Sequence, residues 1–208
     1  MNRVLSLRVA TAIDAEKISS IYKPYVEKTA ISFEYIPPDA KEMKSRITSK
    51  TRNYPFIVAE YNGEIAGYAY ASPFLPRPAY IHSVETSVYV DMSLRAKGIG
   101  KALYTALEEI LKLQNVLYMN ACIAVTHNSD ETLDNNSMDF HNKMGFRYVG
   151  RFNNSGYKFN RFYDMIWMEK LLREPKEPFD DFRPFSTLKD SISPVLTKIC
   201  DFYNKTVN

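Results

Sequence analysis

The stretch SVYVDMSLRAKGIGKALYTALEEIL, Ser87 to Leu111, constrains this chain more tightly than any other. A β-branched and aromatic run ends at Asp91. Seven residues later come Gly98, Ile99 and Gly100, and an amphipathic helical pattern begins at once. A strand, a basic loop and a helix set this close make one β-α-β pass, which commits the sheet to a parallel pair. The loop also has a chemistry. It lies at a helix N-terminus, where free backbone N–H groups and the helix dipole favour an anion. Arg95, Lys97 and Lys101 add positive charge. Two familiar phosphate loops do not fit. G-x-x-x-x-G-K-[ST] fails because Arg95 stands at its first glycine and Ala102 follows Lys101, and G-x-G-x-x-G fails at Leu103.

Hydrophobic periodicity and turn residues predict the elements around this unit. Leu5 to Thr11 reads as a strand, and Thr11 or Asp14 caps a helix running to about Lys28. Pro37-Pro38 breaks the pattern, and Asp39 caps a second helix from Ala40 to Lys50. PFIVAEYNGEIAGYAYASPF is a hairpin around Asn62-Gly63. A strand from Tyr80 to Val90 leads into the glycine loop and a helix from Gly98 to about Leu113. Leu117 to Val125 is a strand, THNSDETLDN a polar loop, and Asn135 to Met144 a short helix ended by Gly145. FRYVGRF and FYDMIWMEKLL close the set. The order β-α-α-β-β-β-α-β-α-β-β, with mostly hairpin connections, predicts an α+β fold on a mixed sheet. After Arg173, EPKEPFDDFRPF reads as a proline-rich arm, and Leu188, Ile192, Val195, Leu196, Ile199 and Phe202 have helical spacing, with Pro194 limiting the first turns. The expected division is 1–172 for the main domain and 173–208 for the arm and a helical tail.

A chain of 208 residues, 45% hydrophobic, builds one full core with little left for a second. A net charge of +3 is too small to argue for nucleic acid without a clustered stripe. No apolar run approaches the roughly 18 residues of a membrane helix, and the N-terminal segment turns charged too early for an export signal. Cys122 and Cys200 lie far apart with no C-x-x-C pattern, and the three histidines are too dispersed for a metal site. A cytoplasmic protein with reduced thiols and no metal is the expectation.

The segments LRAKGIGKALY, TAISFE, YPFIVAE, GYAYASPFLPRPAY, VETSVYV, FHNKMGF and GYKFNRFYDMIWMEK, taken in order, resemble the GNAT N-acetyltransferases, and among them the phosphinothricin acetyltransferase-like members. The resemblance runs from about Leu7 to Leu171. It implies a mostly antiparallel mixed sheet with a V-shaped opening, flanked by helices, that holds acetyl-CoA as co-substrate. By position, the segment Val88, Tyr89 and Val90 would face the pantetheine arm, and Arg95, Ala96, Lys97, Gly98, Ile99, Gly100 and Lys101 would cradle the pyrophosphate. Ser137 stands at the family's serine place, four residues before His141. Asp134 stands where an asparagine is expected, and the neighbouring Asn136 would serve instead.

Acyl transfer to an amine needs a base, because an ammonium has no lone pair. Glu85 falls at the place of the family's catalytic glutamate, and His141 at the place of a group that protonates the leaving thiolate or contacts substrate. The resemblance puts Arg77, Tyr80 and the aromatic Phe33 on the substrate side, with Arg77 suited to a carboxylate. The implied function is transfer of an acetyl group to a small amino acid or analogue. The alternatives are protein N-terminal acetylation and a catalytically idle CoA-binding module. A homodimer is expected, with Phe179, Phe182 and Phe185 of the tail and the far end of the sheet as apolar surface.

Overall fold

A computed structural model describes residues 4–127 and 129–206, so the extreme ends of the two expected segments and one residue of the polar loop lie outside it. The strands are β1 (Leu5–Val9), β2 (Phe56–Tyr61), β3 (Glu64–Pro73), β4 (Ser83–Val90), β5 (Tyr118–Val125), β6 (Arg147–Lys158) and β7 (Arg161–Leu171). The helices are α1 (Ala15–Lys28), α2 (Ala40–Lys50), α3 (Ile99–Leu113), α4 (Asn136–Lys143) and α5 (Lys189–Thr206). Among the described residues the strands form one sheet in the order β1-β2-β3-β4-β5-β7-β6. The β4–β5 pair is parallel and the other five are antiparallel. The parallel pair is the one bridged by α3, as a crossover requires.

Local chemistry explains the boundaries. Asn62 and Gly63 both have positive φ (56° and 86°), as a two-residue hairpin turn needs. The Asp39 side chain accepts from Glu42 N–H at 2.7 Å and caps α2. The strand expected from Tyr80 starts later, at Ser83, because Pro78–Tyr80 coils into a 3-10 turn. Helix α5 begins before Pro194 and carries it in its first half.

Two apolar layers cover the sheet. Leu103, Leu107, Ile110 and Leu111 of α3 pack on one face together with Phe185, Ile192 and Leu196 of the C-terminal segment. Ile18, Tyr22 and Tyr25 of α1, with Met43 and Ile47 of α2, pack on the other with Phe56, Val58 and Tyr68. The arm before α5 is tied down by the end of α3. Gln114 Nε2 donates to Asn53 O and Arg183 O, both at 2.8 Å, and Asn115 Nδ2 donates to Asp181 O at 2.8 Å. No helix among the described residues is long and apolar enough to cross a membrane.

The feature that makes a site is a parting of strands. β4 and β5 pair only at Ser83–Tyr118, Val84–Met119 and Glu85–Asn120, although β4 runs on to Val90 and β5 to Val125. Beyond Glu85 the sheet opens into a V.

Candidate active site

A cleft of about 660 Å³ fills this opening and reaches the N-termini of α3 and α4. Val88, Val90, Arg95, Ala96, Gly98, Ile99, Gly100, Lys101, Asn136 and Ser137 all line it. Asp91 N–H donates to Ala66 O at 2.8 Å, so the alternating Val88 and Val90 turn their backbone groups away from β3 and toward the opening. At Val90 these groups are already engaged. The Tyr25 hydroxyl donates to Val90 O at 2.5 Å and accepts from Val90 N–H at 3.3 Å. An extended arm laid along β4 therefore meets free strand edge at Val88 and Tyr25 at Val90.

The loop reaches α3 through two left-handed residues, Ala96 (φ 61°) and Gly98 (φ 78°). A side chain at Gly98 would suffer twice, from that φ and from Tyr203, whose ring carbon would lie 2.9 Å from an added Cβ. The first-turn N–H groups of α3 have no intrahelical partner and face the cleft with Arg95 and Lys101. Unpaired N–H groups, two cations and a backbone free of side chains fit a pyrophosphate. Asp134 also lines the cleft, and its carboxylate accepts from Asn136 N–H (3.0 Å) and Nδ2 (2.6 Å).

Glu85, Phe33, Arg77 and Tyr80 do not line this cleft, and three further expected residues, Lys97, Tyr89 and His141, turn away from it. The Lys97 ammonium turns out of the cleft and sits 5.5 Å over the Tyr61 ring. The Tyr89 side chain points to the opposite face, where its ring packs at 4.7 Å from Tyr22 and 5.0 Å from Tyr25. His141 is 5% exposed, held by Ser137 O at 2.7 Å on Nδ1 and by the Tyr104 hydroxyl at 2.9 Å on Nε2. Nδ1 donates to the Ser137 carbonyl, and Nε2 lies against the Tyr104 hydroxyl. Burial pulls its pKa below the ordinary value. His141 is thus a packed histidine that does not open on the cleft, while its helix neighbours Ser137 and Phe140 do. His82 is likewise structural: Nδ1 bonds Asn115 O at 2.7 Å and the ring meets Phe179 at 4.9 Å.

Glu85 stands at the vertex of the V, on the face that carries α1 and α2. It is half-buried, and no hydrogen bond or ion pair among the described residues holds it. Burial raises its pKa, and the charge of Lys50 opposes that rise. Lys50, the last residue of α2, lies 4.7 Å over the Tyr70 ring beside Tyr22, Phe56 and Tyr68. Its own pKa is pulled down by burial. Cys122 lies two residues past Asn120, the partner of Glu85, so it shares Glu85's face; its side chain is solvent-exposed, but desolvation by the surrounding protein and the Glu85 charge push its thiol up to about 12. Trp167 pairs with Cys122, Phe74 meets Trp167 at 5.3 Å, and Tyr80 meets Phe74 at 6.0 Å. Tyr80 is therefore linked to the Glu85 face through Phe74 and Trp167. Arg77 precedes it on the same turn, exposed.

Phe33 arrives from the segment between α1 and α2, which is strapped across the β6–β7 hairpin. The Lys158 ammonium donates to Val26 O (2.6 Å), Thr29 O (2.9 Å) and Ser32 O (2.7 Å), and Tyr35 donates to Tyr157 O. The Phe33 ring rests on Gly156, where an added Cβ would come within 2.3 Å of it, and lies 6.3 Å from Tyr163. Lys50, Lys158 and Tyr25 escaped the sequence reading. Lys50 reads as a cation ending an amphipathic helix, Lys158 as a hairpin charge, and Tyr25 as an inner face of α1. Only the fold reveals what each meets.

Residues 7–167 match the family described as the acetyltransferase (GNAT) domain. The phosphinothricin N-acetyltransferase of Streptomyces coelicolor is 32% identical over 173 residues, 81% of this chain and 96% of that protein. The L-methionine sulfoximine/L-methionine sulfone acetyltransferase of Pseudomonas aeruginosa is 31% identical over 166 residues, 79% of this chain and 92% of that one. Among solved structures, a GNAT superfamily phosphinothricin acetyltransferase from Sinorhizobium meliloti in complex with AcCoA aligns with a TM-score of 0.76 at 32% identity, covering 88% of this chain and 98% of that one.

Proposed function

The chain belongs to the acetyltransferase (GNAT) domain family and is an acetyl-CoA-dependent N-acetyltransferase; on that premise we propose that its acceptor is the primary amine of a small amino acid or analogue. The named relatives that act on phosphinothricin and methionine sulfoximine support this class. The observation that carries the reading is Glu85, an unpartnered carboxylate with a raised pKa at the vertex of the V. It takes the proton from the bound ammonium. The amine nitrogen then attacks the thioester carbonyl, a C–N bond forms and the C–S bond breaks; the second N–H proton passes to the departing sulfur, so the free thiol leaves along the cleft. Arg95, Ala96, Gly98, Ile99, Gly100 and Lys101 hold the pyrophosphate, Val88 the pantetheine arm, and Asn136 and Ser137 the mouth near α4. Lys97 and Tyr89 contribute through their backbone only. His141 braces α4 against α3 through its bond to Tyr104.

Phe33 and Tyr80 wall the acceptor cup, and Lys50 joins Arg77 as a cation for the substrate carboxylate. Lys50 is the better placed, since it is half-buried beside Glu85 while Arg77 is exposed. A peptide acceptor would need an open groove, whereas the Phe33 segment is strapped down on the β6–β7 hairpin. Residues 1–172 form the catalytic domain and 173–208 an accessory element, and free Cys122 and Cys200 suit a reducing cytoplasm.

The test is release of free CoA thiol with pairs of amino acids and their decarboxylated amines. The wild type should prefer the amino acids. Lys50→Met should raise KM for the amino acid by roughly 10-fold or more, the scale of a hydrogen bond to a charged group, and leave the decarboxylated amine unchanged. A wild type that prefers the decarboxylated amines refutes the amino-acid reading. Equal losses on both acceptors in Lys50→Met would make Lys50 structural, and Arg77→Ala run alongside would show whether that cation carries the carboxylate.

We also propose a homodimer through the sheet edge β6, where Tyr148, Val149 and Phe152 are 57%, 55% and 55% exposed. The tail phenylalanines expected to help are engaged within the chain: Phe185 is buried, Phe182 packs on Tyr54 at 5.6 Å, and Phe179 on His82. Light scattering at micromolar concentration should give twice the 24.0 kDa chain mass; a single-chain mass ends the proposal.

A further inference from the structure

Helix α5 lies beyond the matched family segment, which ends at residue 167, yet its last turn reaches back to the glycine loop. We propose that Tyr203 is a positioning residue for the pyrophosphate of acetyl-CoA, acting through the Lys97–Gly98 peptide; this rests on the assignment of that loop above. Tyr203 is 7% exposed, and its hydroxyl donates to Lys97 O. A trans peptide is planar, so its C=O and N–H point in opposite directions. With Lys97 O held on the Tyr203 side, the Gly98 N–H is turned the other way. Gly98 lines the cleft and Tyr203 does not. The amide is thereby aimed where a phosphate oxygen would lie.

Glycine makes this support necessary. Gly98 must be at φ 78° to start α3, and a glycine that tolerates that angle tolerates many others. The Tyr203 ring, against the position where a Gly98 Cβ would be, and its hydroxyl, on the preceding carbonyl, select one state of the peptide. The ring is itself held in place. Asn204 accepts from Leu5 N–H at 2.9 Å and donates to Leu5 O at 3.0 Å, fastening the end of α5 to the edge of β1. A strand edge, a helix end and the loop thus form one mechanical unit.

Tyr203→Phe keeps the ring and its packing and removes only the hydroxyl. It should be assayed with acetyl-CoA and with S-acetylpantetheine, a donor that ends before the pyrophosphate. KM for acetyl-CoA should rise roughly 3–10-fold, the equivalent of one net hydrogen bond, with kcat, amine KM and melting temperature close to wild type. KM for S-acetylpantetheine should not change, because that donor never reaches Gly98. An unchanged acetyl-CoA KM overturns the proposal. So does an equal rise with both donors, which would mark Tyr203 as a general prop. The loop assignment is tested separately by the wild type: if it does not favour acetyl-CoA over S-acetylpantetheine, the pyrophosphate is not bound there, and the role of Tyr203 falls with it.

Discussion

Glu85→Gln lowers kcat by roughly 10²–10⁴, the usual worth of general-base catalysis, while acetyl-CoA affinity stays close to wild type. The wild-type rate should fall as pH drops through the raised pKa of Glu85, because only the carboxylate can take the ammonium proton. That acid limb should disappear in the variant. The same substitution makes a second, opposite forecast for stability. Glu85 has a folded-state pKa above its unfolded value, so its stabilising contribution is full below the unfolded value and is lost as pH rises through the folded one. Above that folded-state pKa the fold holds an ionised carboxylate at a cost, and glutamine removes that charge. The variant should melt at the wild-type temperature or above it. A variant with near-normal kcat across about pH 6 to 9 removes Glu85 from the mechanism. A large drop in both kcat and melting temperature would mean instead that Glu85 is structural.

Lys158→Met should produce the largest loss of stability. The methionine fills a similar volume and leaves the carbonyls of Val26, Thr29 and Ser32 without their shared donor. At about 1 kcal/mol or more for each buried acceptor left wanting, the cost is on the order of 3 kcal/mol, or roughly 6–12 °C in melting temperature for a chain of this size. Function should suffer beyond that. Those three carbonyls hold the segment that seats Phe33 on Gly156 and brings Ile31 into the cleft, so amine KM should rise and acetyl-CoA KM should rise with it. Differential scanning calorimetry and steady-state kinetics at a temperature where the variant is folded read the two effects apart. A wild-type melting temperature would show that water replaces the ammonium without loss. An unchanged amine KM would detach the Phe33 segment from acceptor binding.

The element order, the mixed sheet and the single parallel crossover were all readable from the chain. Each rests on local periodicity and on turn residues such as Asn62-Gly63 and Asp39, which act within a few positions. The glycine loop was legible for the same reason: a helix N-terminus after a strand makes its anion site from neighbouring amides. Glu85 could be singled out by the family resemblance of VETSVYV, but its burial, its missing partner and the cation beside it depend on α2 lying across β3. Where sequence reading erred, two candidates shared a local pattern and only packing chose between them. His141 in FHNKMGF fits a cleft-facing acid and a core ring equally well, and Tyr104, thirty-seven residues away, decides for the core. Lys97 sits among loop cations, yet Tyr61 from another strand draws its ammonium away. Lys158 and Tyr203 carry no local signal, because each acts on backbone carbonyls more than 100 positions distant. A carbonyl is the same in every residue, so no side-chain pattern records which one a distant donor will find. That selection belongs to the tertiary structure alone.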